Sequence, residues 1–158
     1  MKKKLNHKNK IIANVCFELR DKDGKLKDYR EYHNLVVSAG KAGVASRING
    51  ADAEAAFTYI AIGIGTTAPA AGNTILESEI TTLGGQRGAA TCTRVTVTVT
   101  NDTAQLILTY AFTGAFAITE CGVFNAASVG TLLARRVFSA INVANGDSLQ
   151  VTWKFTAS

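Results

Sequence analysis

The sequence predicts an all-β fold, an antiparallel β-sandwich of about 7–8 strands with one short helix near residues 38–48. Three observations carry this. Apolar side chains recur at every second position in several runs, clusters of Gly, Asn and Asp separate those runs, and a single stretch has helical spacing in a chain with one proline. With 158 residues, 47% hydrophobic and 18% charged, the chain has the length and apolar content of one domain and too little charge for disorder.

From Ile11 to Leu19 the odd positions are Ile, Ala, Val, Phe and Leu, and the even ones include Asn14 and Glu18, the signature of a strand with one buried face. Asp21-Lys-Asp-Gly24 supplies a tight turn, and Lys25 to His33 is the more polar return arm of a hairpin. Leu35 to Val37 is a short apolar run. Ser38 then reads as an N-cap for a helix to Ile48, with Val44 and Ile48 on its apolar side, although Gly40 and Gly43 each cost about 1 kcal/mol relative to Ala.

Phe57 to Ile62 reads as a buried strand, and Gly63 to Asn73 as a surface loop whose return is plugged into the core by Leu76. This loop lacks the third glycine of a dinucleotide site and the Gly-Lys-Thr of a P-loop. Thr82 to Ala90 is a second Gly-rich loop. Alternating Val and Thr from Thr93 to Thr100, a turn at Asn101-Asp102 and a return from Gln105 to Phe112 form the most regular hairpin pattern in the chain. Phe116 to Phe124 and Thr131 to Val143 follow as strands. After the turn at Asn145-Gly-Asp147, Leu149, Val151, Trp153 and Phe155 give the last strand an apolar face.

Charge divides the chain. Residues 1–33 hold ten Lys or Arg against five Asp or Glu, whereas the remaining 125 hold seven of each sign. The expected organisation is a flexible basic arm over residues 1–10 followed by one β-sandwich domain over 11–158. Lys2, Lys3, Lys4, Lys8 and Lys10 in the arm are the candidate assembly or partner-binding residues. Because the body is neutral, nucleic acid is not an expected partner, and no apolar run is long enough for a membrane span.

Catalytic candidates are sparse. His7 and His33 both lie in the charged N-terminal segment, Glu77 and Glu79 are spaced to diverge, and Asp102 and Asp147 sit in turns. Cys16, Cys92 and Cys121 have no metal-ligand spacing and read as small hydrophobes in strands. No enzyme, metal or cofactor is expected. Glu120 stands out, because it falls in a half-buried run and needs a partner, with Arg87, Arg94, Arg135 and Arg136 available. A structural ion pair of Glu120 with Arg135 or Arg136, fixing strand register or joining subunits, is the leading expectation; metal or ligand binding is the alternative.

Three groups of residues have an informative order: His33-Asn-Leu-Val-Val-Ser-Ala-Gly-Lys41; Ile60-Ala-Ile-Gly-Ile-Gly-Thr66 with Leu76-Glu-Ser-Glu79; and Ile118-Thr-Glu-Cys-Gly-Val-Phe124 with Leu132-Leu-Ala-Arg135. The set, over about residues 33–155, resembles small structural proteins of tailed bacteriophages, nearest the N-terminal region of tail-collar fibre proteins. There a Gly-x-Gly loop, a Leu-x-x-Glu and a later Glu-x-Gly-Leu-Phe or Tyr occur in that sequence. Cys121 and Val123 depart from the expected Ala and Leu, and a stand-alone domain without a long fibre shaft is expected.

The resemblance implies a non-enzymatic virion component, made in the host cytoplasm, that self-assembles as a homo-oligomer, with a trimer expected, and docks on another virion protein. A tail-fibre or baseplate adaptor is the first expectation. A capsid decoration protein on the head is the alternative, and a carbohydrate-binding receptor module the second. The last would need exposed aromatics, for which only Tyr29 and Tyr32 are candidates.

Overall fold

A computed structural model describes residues 10–158, so Lys2, Lys3, Lys4 and Lys8 of the basic arm lie outside the described residues. Ten strands form two five-stranded antiparallel sheets. They are β1 (Ile11–Arg20), β2 (Leu26–His33), β3 (Leu35–Val36), β4 (Tyr59–Gly63), β5 (Gly88–Ala89), β6 (Thr91–Val95), β7 (Thr103–Ala111), β8 (Phe116–Phe124), β9 (Leu132–Val143) and β10 (Ser148–Ala157), with one α-helix, α1 (Ser38–Asn49), and a short 3₁₀ turn, Ala51–Ala53. The first sheet has the order β2-β1-β10-β7-β6 and the second β3-β9-β8-β4-β5. The predicted sandwich with one helix is therefore present.

The period-two runs bury the faces expected of them. Val15, Phe17 and Leu19 of β1 lie beside Trp153, Val151 and Leu149 of β10, all nearly inaccessible, and meet Ile60, Ile62, Ile118 and Ile141 from the second sheet. Burial of each such side chain contributes roughly 1.5–3 kcal/mol before chain entropy is deducted. Two polar links cross this core. The Trp153 indole N–H donates to Cys121 Sγ at 3.2 Å, and the Tyr110 hydroxyl donates to the Ile60 carbonyl at 2.8 Å, so neither polar tip is buried without a partner. At the β1–β2 turn, Asp21 accepts from the Asp23 and Lys25 N–H groups, and Gly24 takes φ +82.

Four expectations are corrected. Ser38 is not the helix cap: Val37 holds that position without a side-chain bond, and the Ser38 N–H donates to the Ala71 carbonyl. Nor is the buried side of α1 a Val44–Ile48 stripe, since Ile48 is 82% exposed while Gly40 and Gly43 are buried. A Cβ at Gly40 would stand 2.1 Å from the Leu133 carbonyl oxygen, so the glycine that weakens the helix is what lets it lie on β9.

The Thr93–Thr100 strand stops at Val95. The Asp102 carboxylate accepts from the N–H groups of Val97, Thr98 and Val99, which curls that segment into a turn and leaves both valines exposed. Tyr32 is half-buried rather than exposed, because its ring stacks on Phe138 at 5.9 Å. At the start of the domain Lys10, the residue before β1, exchanges backbone hydrogen bonds with Ser158. Among the described residues no helix is long and apolar enough to cross a membrane.

Candidate functional site

Part of the second and third ordered groups, namely Gly63, Gly65, Leu76, Glu120, Gly122 and Arg135, meets on the outer face of the second sheet. Glu120 of β8 lies opposite Gly63 of β4 on one side and Val137 of β9 on the other, and Gly122 lies opposite Arg135. The chain after β4 folds back over this face and returns as an isolated bridge between Gly63 and Glu79. Leu76 anchors the return, packed with Phe124 and Leu132.

Glu120 is fully buried and its carboxylate is enclosed by donors. Oε1 accepts from the Gly65 N–H at 3.1 Å and the Ser78 N–H at 2.7 Å. Oε2 accepts from the Glu77 N–H at 3.0 Å, Arg135 Nε at 3.0 Å and Arg135 Nη2 at 2.8 Å. Arg135 is 2% exposed; its Nη1 donates to Asn73 Oδ1 at 3.1 Å, and its Nη2 lies 3.6 Å from Glu77 Oε2. Glu77 in turn accepts from the Thr67 N–H and hydroxyl, the first of which chiefly holds its carboxyl below the usual carboxylate range.

The glycines are part of this construction. A Cβ at Gly63 would lie 2.5 Å from Glu120 Oε1, and one at Gly65 would lie 2.6 Å from the same oxygen and 2.5 Å from the Glu77 Cβ. Only a bare backbone lets the loop close down far enough to donate to the carboxylate. At Gly122 a Cβ would press on Leu76 and Leu132. Asn73, Glu77 and the Thr67 N–H were not singled out from the sequence as partners, because a loop's return path is invisible in local spacing.

Arg135 is thus the partner of Glu120, and Arg136 is not. Successive residues of a strand face opposite ways; the Arg136 guanidinium lies 4.8 Å from the Tyr32 ring centroid and donates to the His33 carbonyl, and its Nε is buried without a hydrogen bond. Arg87 serves Glu79 instead, with Nε and Nη2 at 2.9 and 2.6 Å, while its guanidinium lies 3.6 Å from the Phe124 ring centroid. Glu77 and Glu79 diverge as their spacing implied. Lys10 lies next to the opposite sheet, just before β1 and hydrogen-bonded to Ser158 after β10.

Glu120 faces no solvent, and each oxygen is taken up by donors, so it has no route to a substrate and no room for a metal ion. Chemically the cluster is a lock. A charged pair at this depth is stable only with such complete satisfaction, and removing one partner typically costs about 3–5 kcal/mol. The cysteines contribute separately. Burial pushes the Cys121 thiol up to about 12, Cys16 is half-buried, and Cys92 is exposed, against the expectation that all three pack, because the inner side of β6 is uncovered.

No protein-family model, curated protein or solved structure matches this chain.

Proposed function

We propose that this chain is a non-enzymatic structural component of a tailed-phage virion, a tail-fibre or baseplate adaptor that self-assembles, as a trimer, and docks on another virion protein. One observation supports it best. Gly63, Gly65, Leu76, Glu120, Gly122 and Arg135, which lie in the ordered segments that resemble tail-collar fibre proteins, interlock in one buried node. A set of separate strand-and-turn patterns has no reason to converge; a shared structural unit does.

The node fits a load-carrying part of a particle, since it ties a long loop to two strands without any group left for chemistry. The basic arm supplies affinity for an acidic partner surface that weakens as salt screens it. For glycan recognition the molecule offers less: of the two candidate rings only Tyr29 is exposed, 55%, and it stands singly.

Quantitative mass spectrometry of particles produced by the genome that encodes this chain is the test. The reading expects a fixed copy number in purified particles, in the tail fraction after heads and tails are separated. Recovery in heads alone selects the capsid decoration protein instead, and absence from particles overturns the virion assignment. Deletion of residues 2–10 is expected to lower incorporation.

A further inference from the structure

The four sheet edges are not equally protected. β3 and β5 have two residues each, and β2 carries Lys27, Asp28, Arg30 and Glu31. Both are ordinary ways of blocking an unwanted strand. β6, Thr-Cys-Thr-Arg-Val, has one charge, Arg94, and all of its residues but Val95 are exposed. Its inner side is open as well. Cys92 and Arg94, opposite Leu106 and Ala104 of β7, are exposed although they point between the sheets.

Beneath that edge lies an apolar cavity of about 400 Å³, walled by Val44, Phe57, Leu106, Leu133 and Phe155. Two exposed cations, Arg47 and Arg94, stand on its rim, and Arg94 forms no salt bridge among the described residues. The one lining carboxylate, Asp102, is already engaged by Val97, Thr98, Val99 and Thr103. Ile11 and Ala157 also line the cavity. Exposed Val97 and Val99 continue from β6.

We infer that this corner is the partner-docking site and that its occupant is an extended acidic-apolar segment of another protein, added as a strand along β6. Main-chain bonds to the free edge supply affinity, and alternate apolar side chains fill the cavity. Carboxylates at the segment's ends meet Arg47 and Arg94. The chain's own arm does not suit the place, being cationic itself. This inference deepens the proposed docking role and rests on it.

The probe is the peptide acetyl-Asp-Leu-Thr-Val-Thr-Leu-Asp-amide, with a control in which Lys replaces each Asp, titrated into the full chain and followed by NMR. The expected result is saturable shifts at Val44, Leu106 and Phe155, with the Lys control at least tenfold weaker. Ala104→Phe, which fills the cavity from an exposed position, and Arg94→Glu, which leaves the apolar walls intact, each weaken binding at least tenfold. Deletion of residues 2–10 does not strengthen it.

Equal binding of the two peptides, or no effect of either substitution, overturns the inference. So does tighter binding after the deletion, which would place the arm in the cavity, and so does sedimentation showing self-association that Ala104→Phe abolishes, which would place a second copy there. Absence of the chain from particles, by contrast, removes the virion reading while leaving the peptide result standing.

Discussion

At the outer face of the second sheet a buried carboxylate is held by backbone donors from a loop and by an arginine from the adjacent strand; at the β6 corner two arginines and two valines stand in solvent beside an apolar hollow. Both regions use the same residue types. They differ in satisfaction. Where each polar group has its partner, the chain is fixed and offers nothing to a ligand. Where a backbone edge, the Arg94 cation and apolar surface lack partners among the described residues, there is something left to bind. The difference separates what holds the fold from what the fold presents.

The largest expected effect breaks the closed side. Arg135→Met leaves Glu120 buried without its cation and should cost about 3–5 kcal/mol in denaturant unfolding. Glu120→Gln should likewise lower the melting temperature and impair assembly; an unchanged melting temperature and unchanged assembly would show that the pair is not structural. Gly65→Ala should cost about 1–3 kcal/mol, because the loop must lift from the carboxylate oxygen now 2.6 Å from the added methyl.

A smaller effect concerns the turn that follows β6. Backbone hydrogen bonds, that of Val99 first, hold the Asp102 carboxyl well below the usual range. With its folded pKa below an unfolded value near 4, its support is present at neutral pH and is lost as pH falls from about 4 toward the folded value. Asp102→Ala should therefore be less stable than the parent at pH 7, with the gap closing under strong acid in paired thermal melts. The smallest effect sharpens the open side: Val97→Thr with Val99→Thr should change stability by less than about 0.5 kcal/mol, since both side chains are exposed, yet weaken acidic-peptide binding.

Much of the sandwich was legible because period-two burial is a local property: Phe116–Phe124 and the apolar face from Leu149 to Phe155 stand where the pattern put them. Glu120 was legible as a residue in need of a partner, but choosing Arg135 over Arg136 depends on strand register, which the irregularities of the β8–β9 ladder between Ile118 and Glu120 and between Val123 and Phe124 shift. The strand expected through Thr100 failed because one carboxylate, Asp102, competes for the amides that a ladder would need. The helix face was misread because its contact is made by glycines, whose role is the absence of a side chain. Gly63 and Gly65 hid their purpose in the same way.

Imaging of the assembled particle at a resolution that traces strands tests the central claim most directly. The expected image shows this sandwich at symmetry-related positions, with the Glu120–Arg135 node closed and a strand of a neighbouring protein lying along β6. Particles without this fold, or with β6 facing open solvent at every position, would contradict it.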